Sequence, residues 1–241
     1  MRINKFIAES GVASRRSADK LIMEGSVKIN GKVCNLGDEV RVGVDTVSVQ
    51  GRIINVAKTY EYYIMNKPKG YICSAKDDKG RKTVLDLMPP TSRRVFPVGR
   101  LDYDTTGALI LTNDGEFANM MMHPSNNIDK VYVAKIKGIL SPSEQMQLKN
   151  GVVIDGFKTS KAKVKVKKID KANNTSIVEL TIHEGKNHQV KKMFEAIGFK
   201  VLKLKRESIA FLTLDGVKPG EYRPLSIKEV KKLYGEKNNQ D

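Results

Sequence analysis

The stretch GRLDYDTTGALILTNDGEF, residues 99–117, joins a turn-rich segment to a short apolar run. The run ALILT contains no turn-forming residue and has the composition of a buried strand. Three aspartates flank this predicted strand, namely Asp102, Asp104 and Asp114. Their arrangement has four interpretations: a calcium loop, a pair of hydrolytic acids, a structural turn, or a single reactive carboxylate held in a special position.

The spacing of these carboxylates argues against two of the four interpretations. From Asp102 the segment opens like an EF-hand loop, but the twelfth position holds Asn113 in place of a bidentate Glu, and a strand replaces a flanking helix. In an extended segment, Asp102 and Asp104 point to opposite faces, so we expect no facing pair of hydrolytic acids unless the segment is a loop. A structural turn remains open, because Asp-Thr-Thr-Gly readily forms an Asx or type I turn.

The chain of 241 residues is strongly basic, with 43 Lys and Arg against 27 Asp and Glu, which gives a formal net charge of +16. Such an excess favours a polyanionic partner, because neutralising phosphates releases counterions. A basic protein without a polyanionic partner is the alternative. The 40% hydrophobic content supports one large domain, or a small domain beside a larger one.

The sequence lacks the signatures of several function classes. No apolar run reaches the about 18–20 residues that cross a bilayer, and the N-terminus does not resemble a signal peptide. Two widely spaced cysteines, Cys34 and Cys73, fit a reducing cytosol. The three histidines have no metal-ligand spacing, and no phosphate-cradling loop or dinucleotide motif occurs. We therefore expect a cytoplasmic protein with no membrane partner and no metal.

The first sixty residues predict a small unit of two short helices and a hairpin sheet. Ser14 can cap the second helix, and Asn30-Gly31 between two β-prone runs is a strong hairpin signal. That helix begins with Arg15 and Arg16, where cations oppose the helix dipole. The pair indicates either a solvated helix start or an external anion.

From about residue 60 onward, many strands alternate with a few helices, which predicts an α+β domain on a mainly antiparallel sheet. In KAKVKVKK, residues 161–168, Lys alternates with Ala and Val, so the lysines share one face of a strand. These lysines form either a positive stripe that binds phosphates or a solvated edge protected by charge. Farther along, Val190, Met193 and Phe194 predict an amphipathic helix, and Lys191 lies off its apolar stripe.

Four ordered motifs resemble those of one enzyme family. They are NKPKG at 66–70, PVGRLDYDTTGALILTNDGEFAN around Asp102, KVYV at 130–133 and EGKNHQVKKMFEAIG at 184–198. Together they resemble the RsuA/RluB/RluE/RluF family of ribosomal RNA pseudouridine synthases, nearest its RluB-like, large-subunit branch. The N-terminal stretch that ends in GSVKINGKVCNLGDEV resembles an S4-type RNA-binding domain.

This resemblance implies an α+β architecture in which a small S4-type domain precedes a mainly antiparallel, mixed-sheet catalytic domain. The implied boundaries are 1–48 for the S4-type domain, 49–60 for a linker, 61–233 for the catalytic domain and 234–241 for a flexible tail.

The resemblance also implies roles for individual residues. Asp102 matches the catalytic aspartate, and Arg100 belongs to the same motif. Tyr132 matches the aromatic residue that stacks on the target uracil, and Lys191 matches a basic residue that pairs with the aspartate and favours its ionised form. The residues expected to contact RNA are Arg15, Arg16, Lys20, Lys28, Lys67, Lys161, Lys163 and Lys165.

The implied activity is isomerisation of a uridine to pseudouridine in ribosomal RNA, with 23S rRNA as the expected substrate, an aspartate nucleophile and no cofactor. The partner is then rRNA or a ribosome assembly intermediate, and the protein is expected to be a monomer. A 16S rRNA enzyme of the same family, an RNA-binding protein without activity and a glycosylase that releases free base remain as alternatives.

Overall fold

The structure is a computed structural model that describes residues 1–56, 59–75, 77, 79–89 and 94–236. Residues 57 and 58 of the predicted linker and residues 237–241 of the predicted tail therefore lie outside the described residues. The chain divides into two compact units. The first is centred on Met1–Glu61, and the second is built from Tyr62–Pro89, Phe96–Thr112 and the chain from Glu116 onward.

The N-terminal unit contains two helices and a small antiparallel sheet. Its elements are α1 (Ile3–Glu9), α2 (Arg15–Met23), β1 (Val27–Ile29), β2 (Lys32–Val33), β3 (Val47–Val49) and β4 (Arg52–Ile54), with the sheet order β2-β1-β3-β4. Ser14 Oγ accepts a hydrogen bond from Ser17 N at 3.1 Å, which confirms the predicted cap of α2. The predicted hairpin turn is also present, because Asn30 and Gly31 both have positive φ.

Strand β4 lies within the stretch predicted as a linker. It pairs with β3 through Val47↔Ile54 and Val49↔Arg52, so the sheet of this unit extends beyond the predicted boundary at residue 48. The core of the unit lies between the helices and the sheet. It contains Ile3, Phe6, Ile7, Ala18, Ile22, Val27 and Val47, among others.

The second unit is built on one large sheet that carries several short helices. Its strands are β5 (Tyr62–Lys67), β6 (Phe96–Val98), β7 (Thr106–Thr112), β8 (Lys130–Lys137), β9 (Val153–Ile154), β10 (Phe157–Lys158), β11 (Lys163–Asp170), β12 (Thr175–Ile182), β13 (Lys200–Ile209), β14 (Leu212–Thr213) and β15 (Tyr222–Pro224). Its helices are α3 (Gly115–Met122), α4 (Pro142–Asn150), α5 (Gln189–Ala196) and α6 (Ile227–Glu236).

The large sheet has the order β11-β12-β8-β13-β7-β5-β15, with β14 paired to β13 and β6 paired to β7. Among the named strands of this sheet in the described part of the chain, only β7 and β13 run parallel. The sheet is therefore mixed but mainly antiparallel, which confirms the predicted α+β class.

The apolar stripes of the helices form the core beside this sheet. Phe117 of α3 is fully buried, and its ring packs edge-on against those of Tyr62 and Tyr234, with centroids 4.9 and 5.7 Å away. Burial of one such ring stabilises a fold by roughly 1.5–3 kcal/mol. Met193 and Phe194 of α5 are fully buried as well, so the predicted stripe is confirmed and Lys191 is left free to face elsewhere.

The parallel pair β7–β13 depends on Gly107. In this pair Gly107 lies opposite Arg206, and Thr106 lies opposite Lys205. Gly107 has φ +109°, and a Cβ there would lie 2.1 Å from the carbonyl oxygen of Arg206. On its other side β13 pairs with β8, where the register shifts between Arg206 and Ser208. A bulge of this kind changes the direction of nearby side chains.

Strand β11 is the edge strand of the sheet, and its lysines are exposed as predicted. Lys163 Nζ lies 3.0 Å from Asp129 Oδ2, and Lys167 Nζ lies 2.9 Å from Glu179 Oε2. Exposed pairs of this kind contribute little to stability. The edge therefore combines a positive surface with protection against pairing to another strand, and both interpretations of the lysine stripe remain compatible with it.

Candidate active site

A tight turn presents Asp102 beside the start of β7. Thr105 N donates to Asp102 O at 3.1 Å, which closes a turn at residues 102–105. The turn predicted from Asp-Thr-Thr-Gly, residues 104–107, is not the one observed, because Thr106 and Gly107 belong to β7. The backbone of Asp102 is thus used in the turn, whereas its carboxylate points outward and is 27% exposed. A structural turn and a reachable carboxylate therefore coexist at the same residue.

Lys67 holds this turn from inside the protein. Its Nζ donates to the carbonyl oxygens of Asp102 and Thr105 at 2.9 Å each, and to that of Pro68 at 3.1 Å. Lys67 is fully buried, so the expectation that it contacts RNA is wrong. Burial lowers the pKa of Lys67 because it disfavours the charged form, whereas electrostatic interactions with Cys73, Asp102 and Asp104 act in the opposite direction.

Helix α5 brings a cation to the carboxylate of Asp102. Lys191 Nζ lies 3.1 Å from Asp102 Oδ2 and 2.6 Å from Asp104 Oδ1. The prediction that Asp102 and Asp104 point to opposite faces is wrong, because the segment forms a turn and is not extended. One ammonium group therefore pairs with two carboxylates.

The contact between Lys191 and Asp104 shifts the pKa of each group in the direction that favours its charged form. Burial alone would lower the pKa of Lys191, but hydrogen bonds to Asp104 and Asp102 raise it above its ordinary value. The same hydrogen bond from Lys191 lowers the pKa of Asp104. Lys191 thus stays protonated in the neutral range, and its positive charge favours the ionised form of Asp104.

A histidine completes the surroundings of Asp102. His188 Nε2 lies 3.3 Å from Asp102 Oδ1, on the side of the carboxylate opposite to the oxygen that faces Lys191. His188 precedes α5 and has a left-handed backbone conformation with φ +53°. The sequence alone does not point to His188 at this position, because the spacing of the histidines relates only to metal binding.

Asp102 lines a cleft of about 180 Å³ in the second unit. The walls are largely apolar, and the residues that supply them include Val98, Leu101, Ile110, Met121, Val190, Leu204 and Ile209. The polar groups that reach the cleft include Arg100, Asp102, Lys130, Tyr132, His188 and Arg206. Arg100, Asp102 and His188 also line a wider adjoining groove of about 830 Å³. An apolar cleft with a few convergent polar groups is the usual form of a small-molecule site.

Tyr132 and Arg206 form one wall of this cleft. Tyr132 is 8% exposed and faces the buried side of β8, on the face opposite to Val131 and Val133 as the alternation predicts. Arg206 lies directly opposite Tyr132 on β13, and its Nη1 donates to the tyrosine hydroxyl at 3.3 Å. Its Nε donates to Ala108 O at 2.7 Å.

Lys130, two residues before Tyr132, is a half-buried cation at the cleft. Its Nζ donates to His183 O at 2.8 Å and to Ile128 O at 3.2 Å. Burial, together with the charge of Arg206, lowers the pKa of Lys130 to about 8, while Asp129 acts in the opposite direction.

The structure brings Asp102, Arg100 and Tyr132 together at the cleft, and Lys191 joins them through its contact with Asp102. The N-terminal cations Arg15, Arg16, Lys20 and Lys28 are exposed on their own unit, and Lys161, Lys163 and Lys165 are exposed at or just before β11. In the described part of the chain, no group of three or more His, Cys, Asp and Glu residues is arranged to hold a metal. None of the described helices is both long enough and apolar enough to traverse a bilayer.

Comparison with known families places this fold and site in a class of RNA-modifying enzymes. A model described as RNA pseudouridylate synthase matches residues 61–196, and an S4 domain model matches residues 1–45. The chain belongs to the RNA pseudouridylate synthase family and carries an S4 domain at its N-terminus. The resemblance inferred from the four motifs is thereby confirmed.

Individual relatives match over nearly the whole chain. The ribosomal large subunit pseudouridine synthase B of Bacillus subtilis (strain 168) is 52% identical over 233 residues, which cover 96% of this chain and 95% of the relative. The dual-specificity RNA pseudouridine synthase RluF of Escherichia coli (strain K12) is 36% identical and covers 97% of this chain and 78% of its own. A crystal structure of a pseudouridylate synthase superposes with a TM-score of 0.68 at 32% identity, covering 97% and 99% of the two chains.

Proposed function

We propose that this pseudouridine synthase isomerises a uridine of ribosomal RNA, in 23S rRNA, with Asp102 as the nucleophile. One observation carries the proposal: the partly exposed carboxylate of Asp102 lines an apolar cleft while Lys191 and His188 contact its two oxygens. The choice of rRNA and of the large subunit rests on the relative that is 52% identical and is named a ribosomal large subunit enzyme.

The proposed reaction makes one bond where another is broken. The N1–C1′ bond of uridine breaks with its electron pair going to uracil, and an oxygen of Asp102 bonds to C1′. Uracil then turns, C5 attacks C1′ and displaces the carboxylate, C5 loses its proton, and N1 gains one. No atom is oxidised or reduced and no group enters from outside, so the proposal includes no cofactor. The apolar walls keep out water that would release the free base.

Lys191 acts on this reaction through Asp102. Its ammonium group pairs with the carboxylate and fixes the direction of Oδ2. Because Lys191 also pairs with Asp104, the second carboxylate balances the charge of the lysine without lining the same cleft. Asp104 is therefore a positioning residue in the proposal, and Asp102 is the reacting group.

The target nucleotide has to leave its stack before it can enter the cleft, which costs a few kcal/mol. In the proposal the uracil stacks on Tyr132, and Arg100 at the open side of the cleft contacts the RNA backbone. Phosphate contacts by exposed cations compensate the cost of unstacking. The cations assigned to this role are Arg15, Arg16, Lys20, Lys28, Lys161, Lys163 and Lys165.

The proposed setting is the cytoplasm, with rRNA or a ribosome assembly intermediate as the partner of a monomeric enzyme. Cys34 and Cys73 are both unpaired thiols, which supports a reducing compartment.

An assay with RNA that carries tritium at uracil C5 tests the proposal. Transcripts of 23S and 16S rRNA are incubated separately with the enzyme, and tritium release and free uracil are followed. We expect tritium release from the 23S transcript without free uracil. Free uracil would indicate a glycosylase, release from the 16S transcript alone would move the substrate to the small subunit, and no release from either would contradict the proposal.

Two matched variants test the assignment of the nucleophile. Asp102→Asn preserves size and removes charge, so we expect turnover to fall by at least about a thousandfold, as for loss of other covalent nucleophiles, with RNA affinity kept. Asp104→Asn makes the same change beside the same lysine and should retain most of the turnover. Comparable turnover of Asp102→Asn and the unmodified enzyme would show that another group attacks C1′.

A further inference from the structure

Arg206 is a buried cation that uses only part of its hydrogen-bonding capacity. It is 4% exposed, its Nε donates to Ala108 O, and its Nη1 donates to the hydroxyl of Tyr132. Its Nη2 is buried and has no hydrogen-bond partner among the residues that the structure describes, and no described carboxylate pairs with the guanidinium group. Buried donors are nearly always satisfied, so an unpaired donor on a residue that lines a cleft indicates a missing acceptor.

The fold fixes this side chain at the wall of the cleft that contains Asp102. Arg206 is opposite Tyr132 on one neighbouring strand and opposite Gly107 on the other. The absence of a Cβ at Gly107 permits the close approach of β7, and the bulge after Arg206 sets the direction of its side chain. The guanidinium group is thus placed by three strands of the sheet, and its position does not depend on a mobile loop.

The position of the idle donor identifies the kind of acceptor. Arg206 Cζ lies 5.9 Å from the centre of the Tyr132 ring, towards the hydroxyl with which Nη1 bonds. A base stacked on that ring therefore presents an edge to the guanidinium group. An arginine can only donate, so it pairs with a carbonyl oxygen of uracil and not with its N3–H group. Exposed Arg100 is better placed for phosphates, which stay outside a narrow buried cleft.

We propose that Arg206 is a catalytic residue whose Nη2 donates a hydrogen bond to a carbonyl oxygen of the target uracil and stabilises the negative charge of the departing base. The inference rests on the function proposed above. When N1–C1′ breaks and Asp102 bonds to C1′, one negative charge passes from the carboxylate to uracil, where O2 and O4 share it. A fixed cation in a dry cleft stabilises charge that develops there.

The symmetry of uracil allows the same donor to act before and after the base turns. Rotation about the axis through N3 and C6 exchanges N1 with C5 and O2 with O4. The carbonyl position that faces Arg206 is therefore occupied by one oxygen in the uridine and by the other when C5 meets C1′. A single fixed donor is sufficient for both halves of the reaction, whereas a donor to N1 would serve only the first.

The experiment compares Arg206→Gln and Arg206→Lys with Lys205→Gln, using the rRNA transcript that the unmodified enzyme modifies. Lys205 is the adjacent cation on β13, is partly exposed and pairs with Glu207 outside the cleft. Single-turnover rates at saturating RNA and RNA dissociation constants are measured. We expect Arg206→Gln to lose about a hundredfold in rate, as for loss of an oxyanion donor, with RNA affinity within about threefold and with Lys205→Gln unchanged in both.

A second transcript, made with 5-fluorouridine, separates charge stabilisation from a structural role. Fluorine stabilises the uracil anion, so the departing base depends less on Arg206. The rate on this transcript is measured from the disappearance of 5-fluorouridine in digests. For both variants of Arg206, the loss in rate relative to the unmodified enzyme should be clearly smaller on 5-fluorouridine than on uridine. Equal losses on the two transcripts, or an unchanged rate of Arg206→Gln on uridine, would overturn the inference.

The experiment distinguishes failure of the inference about Arg206 from failure of the proposed function. If the unmodified enzyme does not isomerise uridine, the proposed function is wrong; if it does and the variants behave like Lys205→Gln, only the role of Arg206 is wrong. Should both Arg206 variants unfold, a crystal structure of the unmodified enzyme with the fluorinated RNA decides. Nη2 within hydrogen-bond distance of O2 or O4 supports the role, and a contact to phosphate or to neither oxygen overturns it.

Discussion

Lys67 stabilises the turn that carries Asp102 by donating to three main-chain carbonyl oxygens at once. These oxygens come from both sides of the site, since Pro68 follows β5 and Thr105 precedes β7. The ammonium group of a fully buried side chain thus satisfies three main-chain acceptors. The shape of the turn that carries Asp102 therefore depends on a residue that does not line the cleft.

We expect Lys67→Met to lower the free energy of unfolding by about 3 kcal/mol, because it leaves buried carbonyl oxygens without a donor. It should also reduce turnover, since the turn of Asp102 loses its support. Urea unfolding and the tritium assay measure the two effects. Lys69→Met, an exposed change two residues away, should stay within about 0.5 kcal/mol of the unmodified protein. Equal stability of the two variants would contradict the role of Lys67.

The burial of Lys67 and Arg206 at the site could not be predicted from the sequence. The motifs selected Asp102, Tyr132 and Lys191, which the structure brings together. A charged residue in a predicted strand, however, is expected to be exposed. A buried charge needs carbonyl oxygens or ligands that distant segments supply, and the local sequence does not reveal them. The strand face that Arg206 shares with buried Leu204 was the available signal, and it does not distinguish a buried cation from a solvated one.

At the scale of elements, the parallel pair β7–β13 requires a glycine at position 107. Gly107→Ala would place a methyl group on the carbonyl oxygen of Arg206 and would strain a backbone with φ +109°. We expect a loss of about 3 kcal/mol or more in stability, and loss of activity with it. Gly115→Ala is the matched control, because a Cβ there meets no atom within 4 Å. A Gly107→Ala protein as stable as the control would contradict the close approach.

Helix α6 begins with a reciprocal cap that responds to pH. Ser226 N donates to Glu229 Oε2, Glu229 N donates to Ser226 Oγ, and Arg223 pairs with the same carboxylate. The hydrogen bond from Arg223, opposed by burial and supported by Ser226, lowers the pKa of Glu229 to about 2. The folded protein therefore favours the ionised carboxylate, and this contribution is present above pH 4.5 and is lost as the pH falls towards about 2.

We expect Glu229→Gln to cost about 1 kcal/mol at pH 7, as loss of a cap usually does. The difference from the unmodified protein should shrink as the pH is lowered from 5 towards 3, because protonation removes the same charge. Thermal unfolding across this range measures it. Glu195→Gln, at an exposed carboxylate of α5, provides the control. A difference that does not change with pH would show that the charge of Glu229 is unimportant.

Local signals predicted most elements well. Ser14, the Asn30-Gly31 pair and the apolar stripe of α5 each act within a few residues, so the sequence contains the whole interaction. The sequence does not predict strand β4, because the resemblance to the S4-type domain ends at residue 48 and Arg52–Ile54 is a strand through its pairing with β3. The turn at Asp102–Thr105 is not evident from the sequence either, because Lys67, more than thirty residues away, supports it.

For the whole molecule, a net charge of +16 predicts RNA binding that weakens strongly with salt. Changing Arg15, Arg16, Lys20 and Lys28 to Gln should reduce the slope of log K against log salt concentration by about 3, at about 0.7 for each lost phosphate contact. Filter binding to the 23S transcript at several salt concentrations measures the slope.

The control for this prediction removes the same charge from other exposed positions. The substituted residues are Lys200, Lys218, Lys228 and Lys231, all in the second unit. For this control variant, the slope of log K against log salt concentration should stay close to that of the unmodified protein. If both sets reduce the slope equally, the RNA responds to total charge, and the S4 domain does not hold a particular set of phosphates.

Strand β13 joins two parts of the sheet that are far apart in synthesis. Strands β5 and β7, with the turn of Asp102, form one part, and β8, β11 and β12, with Tyr132, form the other. Among the strands that the structure describes, only β13 hydrogen-bonds to both β7 and β8, and it is made after residue 199. A nascent chain on the ribosome thus carries Asp102 and Tyr132 on two sets of strands that are not yet joined. Translation products that end before β13 therefore cannot assemble the cleft that Asp102 and Tyr132 share.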